Sequence, residues 1–136
     1  MCYSINSSVL PGVRAIPEPL NLTVSLRGSH EIRQGSHIVR LIGQLDAFSE
    51  PVFRKEVMGL LADDVLSLIF DCSDIDFIDS SGLGGLVQLT KHVKDKGGKV
   101  QFVVNTRVLQ TFKMVRLEKF FTIADSLDDA IANAAG

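Results

Sequence analysis

The sequence predicts a small α/β sandwich built on a mixed, mostly parallel β-sheet with about four α-helices. Three observations carry that expectation. The 136 residues, 46% hydrophobic and 22% charged, fit one domain with one ordinary core. Two alternating segments near the N-terminus read as a hairpin. After them, apolar strand-like runs alternate with helical patterns, which implies parallel crossovers and helix-covered sheet faces.

Residues 1–19 hold three of the four prolines and many small polar residues, and are expected to form a poorly ordered leader or a strap. The domain is then expected over residues 20–136. Leu20, Leu22, Val24 and Leu26 alternate with Asn21, Thr23, Ser25 and Arg27, the period of a strand with one wet face. A turn at Gly35-Ser36 and the β-branched run "IVRLIGQL" complete the hairpin. In "DAFSEPVFRKEVMGLL", Ser49 reads as the N-cap of a first helix and Pro51 falls in its first turn. Phe53, Val57, Leu60 and Leu61 give that helix a core face. "VLSLIFD" reads as a central strand. A second helix buries Leu83, Leu86, Val87, Thr90 and Val93 and stops at Gly97-Gly98. The strand "KVQFVVN" follows. A helix from about Thr106 to Val115 points Val108, Leu109, Phe112 and Val115 inward. The short strand "FFTIAD" leads to a capping-box-like start at Ser126 and Asp129, with Leu127, Ala130, Ile131 and Ala134 facing the core.

Composition narrows the function. A net charge of −2 makes no electrostatic case for nucleic acid or an anionic membrane as partner. The one basic cluster, Lys91, His92, Lys94 and Lys96, sits where it complements a helix dipole. The two cysteines, Cys2 and Cys72, read as free thiols in a reducing compartment. No metal-ligand spacing is present, and no cofactor is expected. No signal peptide is legible, and no apolar run approaches the roughly 18 residues of a membrane span. The expectation is a cytoplasmic protein without membrane insertion.

The chemistry concentrates in "FIDSSGLGGLVQL", where an acid and two serines precede three glycines at a strand-to-helix junction. The glycines do not fit a dinucleotide loop, because Val87 stands where a third glycine belongs, and no Gly-Lys-Ser/Thr makes a P-loop. Ser80, flanked by Asp79 and Ser81, lacks the Gly-x-Ser-x-Gly nucleophile elbow. None of His30, His37 and His92 follows a late strand where a hydrolase places its base, so no catalytic residue is assigned. Two readings remain. Ser80 or Ser81 caps the helix with help from Asp79, the glycines permitting close packing. Alternatively, the junction is a docking site: a serine is held exposed, bare backbone admits a partner, and helix N–H groups tolerate a phosphate.

The segment "DCSDIDFIDSSGLGGLVQLTKHVKDKGGKVQFVV" resembles the STAS domain, most closely the bacterial anti-sigma-factor antagonists. The family's strand ending in Asp is similar to "LIFD", its Asp-Ser-Ser/Thr-Gly-Leu-Gly helix start to "FIDSSGLG", its Gly-Gly turn to "DKGGK", and its Gly-x-Leu-Asp loop to "GQLDAFSEP". The resemblance runs from about Leu22 to Ala134. It implies Ser81 as the phosphorylated residue, with Asp46, Asp79, Ser80, Gly82, Leu83 and Gly84 as its environment and partner-binding surface. One departure stands out: where the family often has Thr-Gly-Leu after its third helix, this chain has Val115-Arg116-Leu117, so Arg116 must take a left-handed conformation or end the helix differently.

The resemblance further implies a non-enzymatic switch protein. Unphosphorylated, it sequesters a serine kinase/anti-sigma factor of the histidine-kinase-like ATPase class. Phosphorylation of Ser81 releases that partner, and a metal-dependent serine phosphatase restores binding. The rival reading is a STAS scaffold of a signalling assembly or an accessory subunit of a lipid transport system.

Overall fold

The computed structural model describes residues 17–61 and 65–135. Cys2 and the expected leader up to Ile16 lie outside the described residues. Glu18–Pro19 (β1), Leu26–Arg33 (β2), Ser36–Leu45 (β3), Ser67–Ile78 (β4), Lys99–Val104 (β5) and Thr122–Ala124 (β6) form one sheet whose spatial order equals their chain order. β1–β2 and β2–β3 pair antiparallel, and β3 through β6 pair parallel. The crossovers contain Glu50–Leu60 (α1), Ser80–Asp95 (α2) and Thr106–Met114 (α3), and Leu127–Ala135 (α4) closes the chain. The expected mixed, mostly parallel sandwich with four helices is the observed fold.

The hairpin forms, but not where the alternation pointed. Gln34 and Gly35 both have positive φ, 50° and 82°, the backbone of a two-residue primed turn. That turn pairs Arg33 with Ser36 and carries the register back to Leu26 opposite Gly43. Residues 20–25 therefore have no place in this ladder and instead form a strap. Leu20 N–H donates to Gly28 O (2.9 Å), Leu20 and Leu22 pack on the core, and Val24 is 97% exposed. Glu18 and Pro19, read from sequence as leader, pair with His30 and Ser29.

The core lies on both faces of the sheet. On one, Phe53 and Val57 of α1, Leu83, Leu86, Leu89 and Val93 of α2, and Val108 and Phe112 of α3 meet Phe70 and Phe102. On the other, Ala130 and Ile131 of α4 cover Ile38, Ile69 and Val103. The apolar faces of α1 and α2 are close to those expected, with Leu89 an unforeseen member and Leu60 and Val87 only partly buried. α3 differs at its end. Val115 is the C-cap and 49% exposed, because the helix stops one residue before the stripe would carry it inward. Arg116 adopts φ 62°, the left-handed conformation that a Schellman stop demands. Its N–H donates to Lys113 O (3.1 Å) and that of Leu117 to Phe112 O (2.8 Å). The same stop ends α2 with a glycine: Gly97 has φ 83°, and Gly98 N–H reaches Val93 O at 2.9 Å. Cys72 is a free, fully buried thiol whose acidity burial and Asp71 suppress. Among the described residues no helix is long and apolar enough to cross a membrane.

Candidate functional site

The Asp-Ser-Ser-Gly-Leu-Gly segment occupies the junction of β4 and α2. The helix cap is Asp79 rather than either serine. Its backbone is extended (φ −102°, ψ −175°), and its Oδ1 accepts the Gly82 N–H at 2.9 Å. An aspartate at this position reaches the third N–H of the first turn, which leaves Ser80 and Ser81 as the first two helical residues. Both serines are exposed, and neither hydroxyl makes a hydrogen bond among the described residues. Exposure alone does not choose between them.

Asp79 has a second role that spacing could not reveal. Its Oδ2 accepts the Ala47 N–H at 3.0 Å, and its own N–H donates to Leu45 O at 3.2 Å. The start of α2 is thereby stapled to the loop after β3. Asp46 organises that loop from within. Its Oδ1 accepts the N–H groups of Phe48 (3.1 Å) and Ser49 (3.0 Å), while its own N–H donates to Ser49 Oγ (3.0 Å). This reciprocal Asp46–Ser49 arrangement is a capping box, one turn ahead of α1. Ser49 holds the N-cap position of α1 expected from sequence, but its side chain makes no cap hydrogen bond. It sits in helical backbone, and its hydroxyl, 2.9 Å from Gln44 O and 3.1 Å from Asp46 Oδ1, is buried beneath the loop. The Ser49 and Phe48 hydrogen bonds, working against some desolvation, hold the Asp46 carboxyl below its usual range.

The glycines divide by purpose. A Cβ on Gly82 would fall 2.3 Å from Leu45 O, so only glycine lets α2 approach the end of β3. A Cβ on Gly85 would fall 2.6 Å from Glu50 Oε2, the carboxylate that pairs with Arg54 (2.6 Å) one turn further along α1. Gly84 is exposed, and a Cβ there would meet nothing within 4 Å. Leu83 turns inward and is 6% exposed, so of the predicted site residues it acts through the core.

The structure brings Asp46, Asp79, Ser80, Ser81, Gly82 and Gly84 into one corner at the C-terminal ends of β3 and β4. Sequence reasoning missed Phe48, which is 68% exposed on the stapled loop, and the pairing of the buried Glu50 with the half-exposed Arg54. The Asp46-x-x-Ser49 spacing was the available sign that the loop is rigid. No sign in the sequence distinguishes an exposed Phe48 from a core one.

The STAS domain family model matches residues 28–130. The anti-sigma-B factor antagonist of Bacillus subtilis (strain 168) is 30% identical over 87 residues, 63% of this chain and 79% of that protein. The structure of an anti-sigma factor antagonist from Mycobacterium paratuberculosis superposes with TM-score 0.76 at 23% identity, over 82% of this chain and 96% of the other. Structures of SLC26A9, an anion transporter, contain the same fold as a part: one matches with TM-score 0.60 at 25% identity, over 74% of this chain and 20% of the transporter. The family match spans the sheet from β2 into α4 and contains both the Asp46 loop and the Asp79 junction, and on that match the chain belongs to the STAS domain family.

Proposed function

We propose that this protein is an anti-sigma factor antagonist and a switch without catalytic activity of its own. In its unphosphorylated form it sequesters a serine kinase/anti-sigma factor of the histidine-kinase-like ATPase class in the cytoplasm. Phosphorylation of Ser81 ends that binding: the γ-phosphoryl group of ATP passes to Ser81 Oγ, ADP leaves, and the hydroxyl proton goes to a base of the kinase. A serine phosphatase reverses the step. The observation that carries this reading is the exposed, unengaged hydroxyl of Ser81 in the first turn of α2, beside a capping acid, in a chain 30% identical to an anti-sigma-B factor antagonist.

The energetics favour a binding switch over a folding switch. A phosphate adds about −1.5 to −2 charges near Asp79 and Asp46. In the free domain the orphan N–H groups of α2 and solvent offset much of that repulsion, since two unit charges 4 Å apart cost only about 1 kcal/mol in water. At a docked interface the phosphate must also lose water, and an unpaired buried charge costs several kcal/mol more. Ser81→Ala is therefore expected to fold, bind the partner and resist phosphorylation. Ser81→Asp is expected to fold and to bind at least about tenfold more weakly, a loss of about 1.4 kcal/mol. Mass spectrometry after incubation with the kinase and ATP identifies the acceptor, and titration of both variants tests the switch. Phosphate on Ser80 alone, or equal affinity of the two variants, would defeat the proposal.

The SLC26A9 likeness supports a second reading, a STAS accessory of a transport or signalling assembly. The lipid transport subunit considered from sequence is one form of it. The partner recovered from native extract discriminates: an ATPase of the kinase class for the first reading, a membrane transport component for the second.

A further inference from the structure

We propose that Phe48 and the bare backbone at Gly84 form one docking face with Ser81: the phenyl ring enters an apolar pocket on the kinase, whose wall closes on Gly84. This rests on the reading of Ser81 given above and adds what recognises the partner.

Two independent observations carry it. The first is Gly84. An exposed glycine inside a helix is a net cost to the fold. Gly82 and Gly85 offset that cost by close approaches within the chain, to Leu45 O and to Glu50. Gly84 makes no such approach and has no positive φ to accommodate. What a missing side chain admits here comes from outside the molecule. Gly84 also lies three residues after Ser81, so the two share one helix face.

The second observation is Phe48. It is 68% exposed, yet the loop backbone around it is pinned by three hydrogen bonds to carboxylates. Its N–H is bonded to Asp46, the preceding Ala47 N–H to Asp79, and the following Ser49 N–H to Asp46. A loop that merely connects does not need its tip fixed. An aromatic side chain on a pre-organised backbone loses little entropy on binding, the property of an interface anchor. Through Asp79 that anchor has a set position relative to the first turn of α2.

The occupant follows from the chemistry at Ser81. Phosphoryl transfer needs the acceptor oxygen held within about 3–3.5 Å of the reacting phosphorus, in line with its leaving group. A kinase must therefore fix the register of this corner and come close to its backbone, and Phe48 and Gly84 supply those two needs. An anionic membrane is disfavoured, because the carboxylates of Asp46 and Asp79 are hydrogen-bonded to the backbone of the loop that carries Phe48.

The test replaces Phe48 with the photocrosslinker p-benzoylphenylalanine in the native host, with and without Ser81→Asp. The same probe at Met114, 83% exposed at the end of α3, is the control. The expected result is an adduct at position 48 with an ATPase of the kinase class, reduced at least about fivefold by Ser81→Asp, and none at position 114. With that ATPase purified, Phe48→Ala and Gly84→Ala are each expected to weaken binding at least about tenfold, while neither thermal midpoint falls more than about 2 °C below the wild-type value. Affinities of Phe48→Ala and Gly84→Ala within twofold of wild type, alongside weak binding of Ser81→Asp, would overturn this docking face and leave the Ser81 switch standing. An adduct unchanged by Ser81→Asp, with no phosphate on Ser81 in the same cells, would sink both.

Discussion

Asp79 carries two hydrogen bonds that a single carboxylate geometry makes possible, one oxygen to Gly82 N–H and the other to Ala47 N–H. Asparagine keeps one acceptor and turns the other position into a donor facing a donor. Asp79→Asn is expected to cost about 1–2 kcal/mol in a urea titration and to speed hydrogen exchange at the Ala47 amide. Slower phosphorylation of Ser81 is expected as well, because the corner loses its staple. Unchanged exchange at Ala47 would mean that the second oxygen holds nothing. Gly82 gives the opposite kind of test. Its added methyl would overlap Leu45 O, a backbone atom that cannot rotate away, so Gly82→Ala is expected to destabilise by about 1–3 kcal/mol. Gly84→Ala, with open space around it, is expected to stabilise by up to about 1 kcal/mol. If the two alanine variants have equal stability, the internal approach at Gly82 is not what requires glycine there.

At the scale of elements, the two Schellman stops compare directly. α2 ends with Gly97 in the left-handed region and α3 ends with Arg116 there. The left-handed conformation costs a non-glycine residue about 1–2 kcal/mol. Glycine gives back about 0.5–1 through the freedom of its unfolded chain. Arg116→Gly is therefore expected to gain about 0.5–1 kcal/mol, read as a higher denaturation midpoint with unchanged slope. A loss of stability would show that the Arg116 side chain contributes contacts worth more than the backbone strain. The hairpin follows the same backbone logic. Two positive-φ residues, Gln34 and Gly35, set the register that moves β2 six residues beyond the start of the apolar alternation.

At the scale of the molecule, the strap raises the question of where the folded unit begins. We propose that it begins near Pro17, since β1 pairs with β2 and Leu20 and Leu22 lie on the core. Removing residues 1–16 is expected to leave the thermal midpoint within about 2 °C. Removing residues 1–23 takes away β1 and both leucines. Two half-buried leucines correspond to roughly 2–3 kcal/mol, which lowers the midpoint by several degrees. Equal midpoints for the two truncations would mean that the strap does not hold the sheet. A large fall with the shorter truncation would place the boundary earlier in the chain.

The sequence alone determined the order of elements from the hairpin onward and the family, but it missed β1, whose Glu18 and Pro19 read as leader. Apolar periodicity, Gly97-Gly98 and the Asp-Ser-Ser-Gly-Leu-Gly spacing are local signals, and local backbone preference is enough to realise them. It also marked Arg116 as a residue needing a left-handed conformation or a different helix end, and the first is what occurs. It could not place β2, because alternation records which side chains face an apolar neighbour and not which strand pairs with which. It named Asp46 and Asp79 but not their division of labour. That depends on β3 and β4 ending side by side, which brings Ala47 within hydrogen-bond reach of a residue 32 positions later. Whether Phe48 is core or surface, and which glycine serves the fold, were likewise decided only in three dimensions, because burial and close approach belong to pairs of segments and not to either segment alone.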